Sequence, residues 1–213
     1  MLKDQNNNNY IKNENPYIKY KNTVNNDAIK LFLQLSHLKN LYRQGWITKL
    51  LGMEYKDKVE TVAEHSWSVA MLSMSIIEKY NLSYNMEKCI KLALIHELGE
   101  IYAGDYTTNS ISKDKKHVLE KQAVEKLLED IEFKNDFIEL WNEYENGISE
   151  EAKYIKQIDK LECIMQAVCY GLDAKYIKGD EKINIPCLLE ILEEIKEISK
   201  NNEIPLCDRK NVS

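Results

Sequence analysis

The sequence lacks the features of a membrane or secreted protein. No run of 18 apolar residues occurs, and the first residues, MLKDQNNNNYIKNENP, contain no apolar core of signal-peptide length. The five cysteines are scattered, odd in number and without Cys-x-x-Cys spacing: Cys89, Cys163, Cys169, Cys187 and Cys207. A disulfide framework is therefore not expected. We predict a soluble cytoplasmic protein with reduced thiols.

Proline, glycine and alternating apolar patterns are also scarce. Only three prolines and seven glycines occur in 213 residues, which leaves little room for a sheet and predicts an all-α fold. Basic residues are not in excess either, since 29 Lys and Arg face 35 Asp and Glu for a net charge of −6. This balance argues against duplex DNA or an anionic membrane as partner. A small anionic substrate stays possible if a metal and a few basic residues supply local positive charge.

Apolar residues at three- and four-residue spacing predict one helical domain over residues 27–201. Residues 1–26 are rich in Asn and Lys and are predicted to be a flexible or loosely docked extension, and 202–213 a tail. A capping box, Thr61 to Glu64, begins the second helix, and a loop with Gly104-Asp105 covers 102–112. The predicted helices are about 27–42, 61–80, 85–101, 113–131, 137–144, 149–175 and 186–200.

The third predicted helix carries an imidazole and two carboxylates in an apolar setting. His96, Glu97 and Glu100 lie in the stretch LALIHELGE, and burying charge without a partner costs several kcal/mol. A divalent cation is the simplest partner, because imidazole and carboxylate together suit Mn, Fe, Co, Ni or Zn. On a regular helix the side chains of His96 and Glu97 diverge by ~100°, whereas His96 and Glu100 share a face.

Two further residues could converge on this group, His65 early in the second helix and Asp159 in the sixth. Each has an ordinary structural alternative. His65 can be a polar residue of a first turn, and Asp159 a solvated partner of Lys156 or Lys160. The pair His96-Glu97 can itself be an internal salt bridge.

A series of short motifs follows in order between about residues 38 and 172. They are RQGW (43–46), VAEHS (62–66), LALIHELGE (92–100), GD (104–105), KH (116–117), ELW (139–141), EYE (143–145) and EAKYIKQID (151–159). This ordered set resembles the HD-domain metal-dependent phosphohydrolases, in particular the 5′-deoxynucleotidase-like, HD domain-containing protein 2 group. The resemblance implies an HD-domain helical bundle of about six to eight helices.

The resemblance also implies roles for individual residues. Metal ligands are matched by His65, His96, Glu97 and Asp159, which would hold one divalent ion of Mn, Co, Fe, Ni, Zn or Mg. Carboxylates that orient or deprotonate water and assist the leaving oxygen are matched by Glu100 and Asp105. Substrate-binding residues are matched by Arg43, for phosphate or sugar oxygens, and Trp46, for packing on the nucleoside, although a tryptophan after a helix is also common in a core.

Glu97 departs from the family, which has aspartate there. Its additional methylene moves the carboxylate ~1.5 Å outward, a large shift against metal distances that vary by about 0.2 Å. Only His117 lies between His96 and Asp159, so a one-metal hydrolase is favoured over the di-iron oxygenases of related fold. The lysines after the Gly-Asp loop are interpreted as a solvated helix face rather than phosphate ligands: Lys113, Lys115, Lys116 and Lys121.

The leading hypothesis is a metal-dependent phosphohydrolase that removes phosphate from nucleoside 5′-monophosphates, in particular those of deoxynucleosides. One alternative is an HD-type phosphodiesterase or nucleoside triphosphate hydrolase, since fold alone does not set the substrate. Another is a non-catalytic nucleotide-sensing module in which Glu97 marks an altered metal site. The resemblance further implies a homodimer, for which the residues themselves give no interface.

Overall fold

The protein is mostly helical over the residues that the computed structural model describes, which are 2–4, 7–51, 58–106, 111–172 and 179–201. Its α-helices are α1 (Pro16–Tyr20), α2 (Asp27–Leu35), α3 (Val62–Tyr80), α4 (Met86–Ile95), α5 (Glu100–Ala103), α6 (Lys113–Leu127), α7 (Lys134–Asn146), α8 (Glu150–Cys169) and α9 (Pro186–Asn201). Ser36–Lys39 and Asp180–Lys182 form 3₁₀ turns, and Trp46–Leu51 a π-helical turn. Two short strands, β1 (Leu2–Lys3) and β2 (Tyr10–Ile11), pair antiparallel. The predicted all-α class is confirmed.

Several predictions fall on parts of the chain outside these residues. They concern the tail at 202–213 with Cys207, the end of the sixth predicted helix at 175, and the middle of the loop at 107–110. Cys89, Cys163, Cys169 and Cys187 form no disulfide within the described part of the chain.

The chain divides into two compact units, and the first contains residues 1–67 and 94–142. The described part of its core includes an apolar cluster to which β2, α2, the start of α3, the end of α4 and the helices from α5 to α7 contribute: Ile11, Leu31, Leu38, Leu41, Val62, Ile95, Leu98, Ile101, Val124, Leu127, Leu128, Ile131 and Trp141. Ile11 comes from the predicted N-terminal extension and bridges to Leu41. His117 stacks on Trp141 with ring centroids 5.9 Å apart.

The second unit contains residues 68–93 and 143–213. Tyr154 of α8 is fully buried there, where its hydroxyl donates to the carbonyl of Ser73 over 3.1 Å and its ring stacks on Tyr84. Ser149 caps α8 by accepting the N–H of Ala152 at 3.1 Å. The side-chain oxygen of Gln157 accepts hydrogen bonds from the N–H groups of Asn184 at 2.8 Å and Ile185 at 3.1 Å, two residues that precede α9. Within this unit, these contacts connect α8 to α3 and to the segment that precedes α9.

The predicted helix 27–42 ends earlier than expected. α2 stops at Leu35 and tightens into the 3₁₀ turn, where the Ser36 hydroxyl donates to the carbonyl of Phe32 over 2.8 Å. Leu41 and Tyr42 then make bridges to Ile11 and Thr61. Extended pairing of these two residues replaces the final helical turn, which the apolar spacing alone could not reveal.

Apolar spacing in the sequence predicts Phe32, Trp67 and Val118 at buried helix positions, and these predictions are wrong. Phe32 of α2 is 59% exposed, Trp67 of α3 is 62% exposed and Val118 of α6 is 51% exposed. On α3 the buried positions include Val69, Ser73 and Ile76, so the buried face is turned away from Trp67. Polar residues occupy part of that face, and a search for apolar periodicity therefore selected the wrong phase.

The third predicted helix is interrupted at the motif itself. α4 ends at Ile95, residues 96–99 form a turn, and α5 begins at Glu100. Three-residue hydrogen bonds hold this turn, from Leu98 N–H to the Ile95 carbonyl at 3.0 Å and from Glu100 N–H to the Glu97 carbonyl at 3.1 Å. Gly99 is required because a Cβ there would lie 2.6 Å from the Cβ of Glu120. His96 and Glu97 therefore lie in a turn rather than on the regular helix that was predicted, and Glu97 Oε1 lies 3.4 Å from His96 Nε2.

Candidate active site

The carboxylate of Glu97 is the centre of a buried polar group in the first unit. Its Oε1 lies 3.4 Å from His96 Nε2 and 3.6 Å from His65 Nε2, and accepts a hydrogen bond from Arg43 Nη1 at 2.9 Å. The rings of His65 and His96 meet edge to face with centroids 5.4 Å apart. The structure thus brings together His65, His96, Glu97 and Arg43 of the predicted site.

Local sequence places each of these side chains. Thr61 and Glu64 form the predicted capping box. The main-chain N–H of Thr61 donates to Glu64 Oε2 at 2.6 Å, and the main-chain N–H of Glu64 donates to Thr61 Oγ1 at 3.3 Å. These two hydrogen bonds fix His65 in the first turn of α3. The N–H of Arg43 donates to the Glu60 carbonyl at 3.1 Å, so the segment before the π-helical turn is tied to the segment before α3. The turn after α4 supplies His96 and Glu97.

Glu97 is held ionised by its neighbours. Burial opposes the charge, but the charges of His96, Arg43 and Lys116 outweigh it and hold the pKa of Glu97 well below its usual range. A buried carboxylate that stays ionised is a suitable ligand for a cation, because ligands must be deprotonated to bind.

Glu100, three residues after Glu97, has a pKa that is shifted in the opposite direction. It is 1% exposed, and among the described residues neither of its carboxylate oxygens accepts a hydrogen bond. Burial, followed by the negative charges of Glu97 and Asp105, raises the pKa of Glu100 well above its usual range. A carboxyl group of this kind can keep its proton near neutral pH and donate it in a reaction.

Asp105 is fixed by a main-chain hydrogen bond. The N–H of Gln44 donates to Asp105 Oδ2 over 2.6 Å, and Arg43 Nη1 lies 3.9 Å from Oδ1. The preceding Gly104 has a φ of +89°, a conformation that glycine adopts without strain. Asp105 thus faces the same guanidinium as Glu97.

Trp46 is 6% exposed, and its indole N–H donates to Glu60 Oε1 over 2.8 Å. Packing of this ring on a nucleoside stays a prediction. Asp159 belongs to the second unit, where it lies on α8 with its side chain 15% exposed. Its Oδ2 is 3.7 Å from Lys160 Nζ, and its role as a ligand also stays a prediction.

Comparison with known proteins identifies the family. The sequence pattern of the HD domain matches residues 35–186. The 5′-deoxynucleotidase HDDC2 of Danio rerio is 32% identical over 183 residues, covering 80% of this chain and 88% of the relative, and that of Homo sapiens is 30% identical, covering 80% and 86%. The chain belongs to the HD-domain family. A solved structure, that of a predicted metal-dependent phosphohydrolase from Magnetospirillum magnetotacticum, shares the fold with a TM-score of 0.63 at 20% identity, covering 83% of this chain and 95% of that one.

The family implies a divalent metal, and the donor set of this HD domain fits one. Two ligand atoms that each lie about 2.1 Å from one tetrahedral ion are about 3.4 Å apart. The distances from Glu97 Oε1 to the two imidazole Nε2 atoms, 3.4 and 3.6 Å, are close to that spacing. Imidazole nitrogen and carboxylate oxygen suit ions of the Mn-to-Zn series.

Lys116 is a member of the HD site that sequence reasoning misassigned. Its ammonium lies 3.1 Å from Glu120 Oε1 and 3.7 Å from Glu100 Oε1, with the side chain 34% exposed. Burial opposes its charge, but Glu100, Glu97 and Glu120 outweigh it and raise the pKa of Lys116. The interpretation as part of a solvated face is therefore wrong for this lysine. Its four-residue spacing from Glu120 was the available signal.

No helix in the described part of this HD protein is long and apolar enough to span a bilayer.

Proposed function

We propose that this HD protein is a phosphohydrolase that releases phosphate from nucleoside 5′-monophosphates, with deoxynucleotides as the preferred substrates. The observation that carries the proposal is the convergence of His65, His96 and Arg43 on the Glu97 carboxylate, with Glu100 buried three residues away. Relatives that bear the name 5′-deoxynucleotidase support the substrate class.

Metal binding is assigned to His65, His96 and Glu97, with Asp159 as the fourth ligand from the family motif. The bound divalent ion would supply Lewis-acid stabilisation of phosphate charge and activation of a water molecule. We extend the proposal to one ion of Mn, Co, Fe, Ni, Zn or Mg, to a homodimer and to a cytoplasmic location. Duplex nucleic acid and membranes are not proposed as partners, in keeping with the net charge of −6.

The chain's own residues divide the remaining work. Arg43 binds and neutralises phosphate oxygens, for which its fork of N–H donors is suited. Asp105 orients the attacking water and takes up its proton as the new phosphorus–oxygen bond forms, while Glu100 gives a proton to the leaving 5′ oxygen as the old bond breaks. Trp46 packs on the nucleoside.

The test is phosphate release from a panel of ribo- and deoxynucleoside 5′-monophosphates by purified, metal-loaded protein, beside Glu100→Gln and His96→Ala. Wild-type release of free phosphate, lost in both variants, is expected. Release of pyrophosphate or of a mononucleotide from other substrates would favour the triphosphatase or phosphodiesterase alternatives. Nucleotide binding without turnover would favour a sensing module.

A further inference from the structure

The N-terminal hairpin contacts both segments that surround Asp105. This hairpin, β1 with β2 and the residues between them that the structure describes, precedes residues 35–186 that match the HD domain. Its partners Asn40, Gln44 and Gly104 lie in the first unit. It is therefore an addition to the matched HD core and is positioned beside the candidate active site.

Gln44 is the link on one side. Its buried carboxamide accepts the N–H of Tyr10 at 2.8 Å and donates to the carbonyls of Tyr10 at 3.0 Å and Tyr42 at 2.6 Å. The main-chain N–H of the same residue donates to Asp105 Oδ2 at 2.6 Å. Gln44 thus connects the backbone of β2 to the carboxylate of Asp105 through one residue.

Gly104 is the link on the other side. A Cβ at this position would lie 2.7 Å from Asn7 Cγ, so the Asn7 side chain packs directly on the backbone that precedes Asp105. The Asn7 side chain also donates to the carbonyl of Tyr102 at 3.5 Å and accepts the N–H of Asn9 at 3.0 Å. The hairpin therefore contacts both Gln44, whose main-chain N–H donates to Asp105, and Gly104, which precedes Asp105 in the chain.

The hairpin is itself anchored to the first unit. Ile11 is 4% exposed within the core cluster, and Lys12 N–H donates to the Asn40 carbonyl at 2.7 Å. Asp4 Oδ2 lies 3.2 Å from Nε2 of the buried His37. Because the hairpin is fixed at both ends, it can hold Gln44 and Gly104 in a constant position.

We infer that the N-terminal hairpin positions Asp105 against the attacking water, with Gln44 as the positioning residue that transmits its constraint. The inference rests on the proposed function, in which Asp105 orients the attacking water. A displacement of about 1 Å in such a group can reduce turnover by about 100-fold. The hairpin therefore acts on kcat and leaves the affinity for nucleotide and metal unchanged.

The test uses the full-length chain with Gln44→Met, a substitution of similar length that removes the carboxamide but keeps the main-chain donor to Asp105. Gln157→Met is the matched control, because Gln157 also makes three side-chain hydrogen bonds but lies in the second unit. We expect kcat to fall about 10- to 100-fold in Gln44→Met alone, with KM and the metal-induced rise in Tm unchanged. Equal kcat in the two variants, or a rise in KM without a fall in kcat, would overturn the inference.

Hydrogen exchange supplies a readout that does not depend on activity. Peptides covering residues 102–106 should exchange faster in Gln44→Met than in the wild type or Gln157→Met. If the wild type hydrolyses no nucleotide, the proposed function fails while this comparison still decides whether the hairpin constrains Asp105. If Gln44→Met does not fold, Asn7→Ala gives the same test with a half-buried side chain, and unchanged exchange and kcat in that variant would refute the inference.

Discussion

Arg43 and Glu97 form a direct ion pair in which Nη1 donates to Oε1 over 2.9 Å. The longer side chain of glutamate makes this contact possible, since an aspartate would withdraw the carboxylate by ~1.5 Å, beyond hydrogen-bond distance. The departure from the HD motif therefore connects a predicted metal ligand to a predicted phosphate-binding residue. Glu97 need not mark a lost site, because the same oxygen also faces His65 and His96.

Glu97→Asp is expected to destabilise the protein in the presence of chelator and to preserve its stabilisation by metal. Loss of the charged hydrogen bond to Arg43 should cost about 1–2 kcal/mol, whereas the shorter carboxylate can still ligate an ion. Chemical unfolding with EDTA, followed by titration with Mn²⁺, measures both effects. Glu120→Asp is the control, because it shortens a buried carboxylate that pairs with Lys116. Metal in the purified variant but none in the wild type would contradict the assignment of Glu97 as a ligand.

Metal binding should depend on both histidines. A ligand that binds only the folded state stabilises it by about 2.7 kcal/mol at a concentration 100 times its Kd. We expect Mn²⁺ or Co²⁺ to raise the Tm of the wild type, and His65→Ala or His96→Ala to abolish the rise. His37→Ala removes an equally buried imidazole, which faces Asp4, and should retain the full rise. An intact rise in His96→Ala would mean that the ion binds elsewhere.

Glu100→Gln should remove turnover and at the same time stabilise the metal-free protein at neutral pH. The pKa of Glu100 is raised well above its ordinary value of 4.5, so the folded state retains a proton that the unfolded state loses. Its contribution to stability therefore falls as the pH rises from about 4.5 through the folded-state pKa. The amide of the Glu100→Gln variant does not ionise, so the variant does not lose this stability as the pH rises.

The gain in unfolding free energy should be about 1 kcal/mol or more at pH 8 and should diminish towards pH 4. Urea unfolding in EDTA across this range provides the measurement. Glu120→Gln, which breaks the close pair with Lys116, should instead lose stability at pH 8. A Glu100→Gln variant that is less stable than the wild type at both pH values would refute the raised pKa.

The sequence predicted helices where local signals are strong. The capping box at Thr61 and Glu64 begins α3, and Pro186 begins α9, as expected. The break between Ile95 and Glu100 could not be predicted, because it depends on the close approach of Glu120 to Gly99, a contact between residues distant in sequence. The exposure of Trp67 was missed for the same reason, since the buried face of α3 is set by packing rather than by its own spacing.

The predicted site was recovered unevenly. Motif order indicated Arg43, His65, His96 and Glu97, and these four meet within the first unit. Gln44 and Lys116 were not recognised, because Gln44 contacts Asp105 through its main-chain N–H and Lys116 pairs with Glu100 on another helix. The main-chain contact leaves no pattern in a single sequence, and the spacing of Lys116 and Glu120 does not reveal the contact with Glu100.

Trp46 offers a final prediction, in which a structural contact and a substrate contact can be separated. Its indole N–H donates to Glu60, which is 8% exposed, so Trp46→Phe should cost about 1–3 kcal/mol by removing a buried hydrogen bond to a carboxylate. Glu60→Leu should cost a similar amount, whereas the double variant should recover part of the loss, as a double-mutant cycle of unfolding free energies would measure.

A nucleoside contact would appear separately, as a several-fold rise in KM for Trp46→Phe that Glu60→Leu does not share. Trp141→Phe is the volume-matched control, because Trp141 is fully buried against α6 and should change stability without changing KM. A coupling energy near zero would show that the hydrogen bond to Glu60 does not hold the indole. An equal rise in KM for both tryptophan variants would show that the effect arises from general loosening of the first unit rather than from contact with the substrate.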